Sequence, residues 1–220
     1  MTCNYRYNYV TSMDPIDWLL LAYKVPPEPS AKRVTLWRRL KGLGAVYLQS
    51  GVCLLPRTDE HLRRLKMLER DIAAMDGEAV LLQTVALDAA QQDKVLARFR
   101  ADRDEQYREF LGKCEAFERE IAKEIAIEKF TYAELEEEDA EARKLEAWLE
   151  KIQKLDFYDA PLAEAAKTKL EVCKAALDGY AERVFDAHDE NRDTSAMPSV
   201  AVGRDAGADA GDHEEGPPDV

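Results

Sequence analysis

The hydrophobic pattern of this chain changes period near residue 88, and that change constrains the fold more than any other feature. Upstream, apolar residues come in runs of strand length broken by Pro and Gly, with two short amphipathic stretches between them. Downstream, they recur at helical spacing for about a hundred residues. Two patterns segregated along one chain predict an α+β protein, with strands and helices mixed first and helices alone afterwards.

In the first part, Ile16 to Val25 is a buried-strand run ended by Pro26-Pro27. Ser30 suits an N-cap for a helix from Ala31 to Leu40, whose Val34, Leu36, Trp37 and Leu40 fall on one side and are expected to face the core. Gly42 and Gly44 stop it. Val46 to Leu55 reads as a second strand with Gly51 as a bulge or a point of close backbone approach. Pro56 and Thr58 open a second helix, Asp59 to Met75, with Leu62, Leu65, Leu68 and Ile72 at helical spacing. Gly77 ends it, and Glu78 to Leu87 is a third strand. The order β-α-β-α-β over residues 16–87 is the greater part of a ferredoxin-like split-βαβ domain. No run after Leu87 supplies the usual fourth strand, so it is expected to be missing, contributed by a partner, or hidden in the helical region.

Residues 88–187 predict a long antiparallel helical hairpin or bundle. Phe99, Phe110, Cys114, Phe117 and Ile121 mark one face of its first helix. Lys129-Phe130-Thr131 interrupts it, and Thr131 with Glu134 fits a capping box that starts the second helix. The segment from Asp156 to Pro161 turns the chain into a third helix carrying Leu162, Leu170, Cys173, Tyr180 and Val184. Residues 188–220 are rich in Asp, Gly, Ala and Pro and predict a disordered acidic tail. Residues 1–15 are expected to be a flexible N-terminus. Met13 is an alternative start to Met1, to be decided by the intact mass of the native protein.

Charge is distributed as unevenly as structure. Residues 1–87 hold 12 Lys+Arg against 9 Asp+Glu, residues 88–187 hold 17 against 26, and residues 188–220 hold 2 against 9. A net charge of −13 disfavours a protein that coats nucleic acid. The basic first part still allows a small nucleic-acid footprint. Cys3, Cys53, Cys114 and Cys173 show no paired spacing, which fits reduced thiols and gives no metal signature. There is no secretory leader pattern, and the apolar run Trp18–Tyr23 is too short to cross a bilayer. A cytoplasmic protein without a membrane partner is expected.

The run WLLLAYKVPPEPSAKRVTLWRRLKGLGAVYLQSGVCLLP, Trp18 to Pro56, resembles the N-terminal region of the ChrB family of chromate-resistance regulators. KFTYAELEEE and DFYDAPLAEAA, in the same order, resemble that family's helical part, so the likeness covers residues 16–187. The strand-helix-strand part is also similar to the middle domain of PaaX-type repressors, which share a ferredoxin-like fold. The resemblance implies a bacterial protein in transcription regulation of a chromate efflux operon. Full-length ChrB proteins continue into a C-terminal domain, whereas this chain turns into the acidic tail. Sensing or catalysis housed in that second half is therefore not carried over. The alternative is a protein–protein adaptor that pairs with a separately encoded ChrB C-terminal domain and binds no DNA.

The binding candidates are the cations of the two short helices: Lys32, Arg33, Arg38, Arg39 and Lys41 on the first, Arg63, Arg64 and Lys66 on the second. Arginine forks suit phosphates and tetrahedral oxyanions. The competing reading is a pair of solvated outer faces. Five cations and no acid between Lys32 and Lys41 is the bias that favours a DNA or oxyanion site. The run Glu134 to Asp139 has carboxylates at i, i+3 and i+4 but no Glu-x-x-His partner, and it reads as a solvated first turn. The cysteines read as core packing, and His61 and His188 stand without a nucleophile beside them. No phosphate-binding glycine loop or nucleophile elbow is present. A non-enzymatic binding protein is expected, without metal or cofactor, and with DNA, a second copy (a homodimer joined at an exposed sheet edge) and the separate C-terminal domain as its possible partners.

Overall fold

The structure, a computed structural model, describes residues 15–28 and 30–195, with backbone alone from 190 onward. Residues 1–14 and 196–220, which hold most of the expected flexible N-terminus and tail, lie outside the described residues. The first part contains β1 (Trp18–Lys24), α1 (Ser30–Gly42), β2 (Val46–Gln49), β3 (Val52–Pro56), α2 (Asp59–Ala73) and β4 (Glu78–Thr84). The second contains α3 (Ala89–Ala126), α4 (Tyr132–Lys154) and α5 (Ala163–Ser195).

The expected missing strand is present, within the run Val46–Leu55. That run is a hairpin, β2 and β3, turning at Ser50-Gly51. Gly51 is therefore a turn residue and a point of close backbone approach, and not a bulge in one long strand. Its φ is +75°, and a Cβ there would stand 2.4 Å from the Tyr23 carbonyl oxygen. Only glycine meets both conditions without strain. The Tyr23 amide donates to the Gly51 carbonyl at 2.7 Å, so β1 itself fixes where the hairpin folds over.

The four strands form one antiparallel sheet in the order β2-β3-β1-β4. β3 lies between β1 and β2, and β1 lies between β3 and β4. The units β1-α1-β2 and β3-α2-β4 are thus each split by a strand of the other.

Alternation along β1 gives the sheet two apolar faces. Leu19 and Leu21 point with Cys53 and Leu55 toward Leu36 and Leu40 of α1 and Leu65, Leu68 and Ile72 of α2. Trp18, Val46 and Leu54 point the other way, against Leu96 and Phe99 of α3 and Tyr158 of the α4–α5 connection. Each such side chain contributes about 1.5–3 kcal/mol on burial. The helical part therefore closes one end of the second sheet face. The indole Nε1 of Trp18 donates to the Tyr158 hydroxyl at 2.9 Å, and the Ile16 amide donates to Gln92 Oε1 at 2.9 Å.

The three long helices form a bundle around Tyr107, Phe110, Cys114, Ile121, Leu145, Leu149, Cys173 and Tyr180. The Leu162 amide meets Asp104 at one end and the Tyr180 hydroxyl meets the Lys129 carbonyl at the other. α5 therefore runs alongside α3 in the same direction, with α4 antiparallel to both. Thr131 caps α4 as expected, accepting from the Glu134 amide at 3.3 Å. The reciprocal half of the capping box is replaced: the Glu134 carboxylate takes the Lys129 ammonium at 2.7 Å. α5 continues to Ser195, so residues 188–195 of the expected tail are helical. No Pro or Gly lies between His188 and Pro198, and a packed helix extends without a new nucleation cost.

Candidate nucleic-acid interface

α1 holds the sheet with a narrow stripe, Leu36 and Leu40, one turn apart. Val34 and Trp37, expected in the core, lie outside that stripe and are 42% and 49% exposed. The geometry of the helix is the reason. At 100° per residue, Trp37 is a quarter-turn from Leu36 and Val34 is on the far side, and a helix resting on a sheet buries only its central line. Ser30, expected as the N-cap, is the first helical residue.

The eight cations divide into two groups. Arg39 is held by Asp71 of α2 at 2.5 Å and Lys41 by Asp102 of α3 at 2.6 Å, so both act as struts between elements. Arg64 sits 3.7 Å from Glu60 on its own helix, and Arg63 donates to the Asp59 carbonyl at 3.4 Å. Lys32, Arg33, Arg38 and Lys66 are exposed and have no ion pair among the described residues. Lys32, Arg33 and Arg38 share α1 with the exposed Trp37. Arg33 stands one turn before the indole on the same side of the helix, and Lys41, one turn after it, is the strut to Asp102.

Electrostatics sharpen the contrast within α1. Its last turn carries Arg39 and Lys41, where cations complement the helix dipole, and its first turn carries no acid. Lys32 and Arg33 instead add positive charge to the end that is already positive. That arrangement weakens the isolated helix slightly and attracts anions such as phosphate.

The other candidates are engaged elsewhere. Burial pushes the Cys53 thiol up to about 12, and burial beside Cys173 pushes Cys114 up to about 12, so both are held as unreactive thiols. Cys173 is buried against the Cys114 carbonyl at 3.7 Å, and Cys3 lies outside the described residues. His61 is buried under Phe157, with Nδ1 2.9 Å from the Pro56 carbonyl; burial lowers its pKa and keeps it neutral. His188 stacks on Tyr132 at 4.3 Å. Among the described residues no three His, Cys, Asp or Glu side chains are grouped to hold a metal, and no helix is long and apolar enough to cross a membrane.

The acidic run is not a wholly solvated turn. Glu138 is buried in the bundle, and burial, followed by the charges of Glu120, Glu137, Glu134 and Glu124, pushes its carboxyl up to about 7. Its position three residues after Leu135 and four before Ala142 was the available signal for an inward-facing residue. The two struts had none, because Asp71 and Asp102 lie 32 and 61 residues from their partners.

Comparison with known proteins gives two matches. The family model described as "Protein ChrB, N-terminal" matches residues 33–191, from the first turn of α1 to the end of the bundle. Protein ChrB of Cupriavidus metallidurans is 28% identical over 173 residues, covering 78% of this chain and 49% of that protein. The chain thus spans about half the length of the curated relative it matches.

Proposed function

The chain belongs to the ChrB N-terminal family, and from that premise we propose that it serves chromate resistance as a DNA-binding regulatory module, acting on a chromate efflux operon through α1. The observation that carries this reading is the set Lys32, Arg33 and Arg38, exposed and without an ion pair among the described residues, on the same helix as the exposed Trp37, while the other short-helix cations are largely tied down. Such cations on a rigid helix supply phosphate contacts, and the aromatic beside Arg33 supplies apolar contact with sugar or base. The split-βαβ topology supports reading residues 16–87 as a ferredoxin-like domain that presents this helix. We read the chain as a binding protein and not an enzyme, because its buried thiols and its neutral, packed His61 have structural roles.

The test is a gel-shift titration of the full chain on the DNA upstream of its own gene, at several salt concentrations. Three phosphate contacts per chain predict a slope of log affinity against log salt of about −3 for each chain bound. Arg33→Ala and Arg38→Ala are each expected to reduce that slope by about 1. Binding that is absent, or indifferent to salt, removes the DNA reading.

A second reading is a protein–protein adaptor that pairs with a separately encoded ChrB C-terminal domain and binds no DNA. Co-purification of the two chains, with and without DNA, separates the readings.

A further inference from the structure

β4 is an edge strand, and its outer row of backbone groups pairs with nothing among the described residues. Its sequence, EAVLLQT, carries one charge, at the very start, and has no Pro, Gly or Lys. Among the described residues the usual devices that blunt a sheet edge are absent. On the face away from α1 and α2, Val80 is 55% and Leu82 51% exposed. They continue a sheet surface that includes Ala22 and Leu20, their partners on β1. The chain then leads into Val85 and the 92% exposed Leu87. Among the described residues, α3 and Tyr158 cover this face at the end marked by Trp18, Val46 and Leu54. An apolar patch bordering an unpaired edge is an association surface.

We propose that the occupant of this edge is a second copy of the chain, with β4 pairing antiparallel to its own equivalent about a two-fold axis through Leu81. The argument is self-complementarity. Centred on Leu81, the pairing sets Val80 against Leu82, Ala79 against Gln83 and Glu78 against Thr84, each twice by symmetry. Apolar meets apolar on the bare face, and the one carboxylate meets a hydroxyl and not its own copy. Cross-strand pairs of this kind are the units of sheet stability. The two four-stranded sheets become one of eight strands, and the axis stands perpendicular to it. α1 and α2 of both copies then lie on the same face. If α1 binds DNA, which rests on the function proposed above, the pair reads an inverted repeat.

The experiment is sedimentation equilibrium of the full chain at micromolar concentration, with far-UV circular dichroism as the check on folding. The wild-type chain is expected to be a dimer. Val80→Glu and Leu82→Lys are each expected to sediment as monomers with unchanged helix and strand content. An equimolar mixture of the two recovers the dimer, because residue 80 of one copy faces residue 82 of the other. Leu82→Thr, which keeps a strand-favouring residue, weakens the dimer about tenfold even if the charged variants fold poorly. A monomeric wild-type chain overturns the proposal. So does a dimer that survives both charged variants, or a mixture that stays monomeric. A dimer with these properties that binds no DNA leaves this proposal standing and removes only the DNA reading.

Discussion

A carboxyl group inside a helical bundle ties the stability of the fold to pH. Glu138 is buried among α3, α4 and α5, facing Glu120 and Glu124 from α3 and Glu134 and Glu137 from α4, with Lys123, Lys129 and the Tyr180 hydroxyl around the cluster. Its folded pKa of about 7 lies above the ordinary carboxylate value, so folding takes up a proton between those two points. Its contribution to stability is therefore full in acid and is lost as pH rises through about 7. Thermal melts between pH 4.5 and 8 are expected to show this decline in the wild-type chain. Glu138→Gln, which keeps the shape and removes the titration, is expected to flatten the profile and to melt higher than wild type at the alkaline end. An unchanged profile would mean that Glu138 is ionised in the fold.

At the scale of elements, the hairpin turn is the point where one residue type decides the topology. Gly51→Ala combines a positive φ with a Cβ driven into the Tyr23 carbonyl, and both penalties act on the turn that creates the fourth strand. A loss of roughly 2 kcal/mol or more is expected, measured by urea denaturation. The same turn marks the limit of what could be read from the chain. The starts of α2 and α4 were legible because a cap is a local event: Thr58 accepts from the His61 amide at 3.0 Å and Thr131 from Glu134, as their spacing implied. The hairpin was not, because a glycine inside an apolar run fits a bulge or a turn equally well. β1, nearly thirty residues earlier, makes the choice. The basic helix was legible as a cluster of charge. Which of its cations are free was not, since that depends on aspartates supplied by α2 and α3.

At the scale of the whole molecule, Tyr158 joins the sheet to the bundle. Its hydroxyl accepts from Trp18, its ring meets Phe99 at 5.0 Å, and its carbonyl accepts from Arg100 at 3.0 Å. Tyr158→Phe leaves the ring but orphans a buried indole N–H. The expected cost is about 1–3 kcal/mol. Because the contact spans 140 residues, the loss should appear equally in the melting of sheet and bundle, as a single transition shifted downward. Two separated transitions would show instead that the parts unfold independently. The placement of the three tryptophans also gives the molecule an optical consequence. Trp18 is sealed in the sheet, Trp148 packs edge-on to Phe110 in the bundle, and Trp37 stands half in solvent on α1. Each structural unit thus carries its own fluorophore in its own polarity, and an aqueous quencher such as iodide reaches Trp37 first. Emission that is quenched in the free protein and shielded in a complex would report, from the unlabelled chain, what lies against the basic helix.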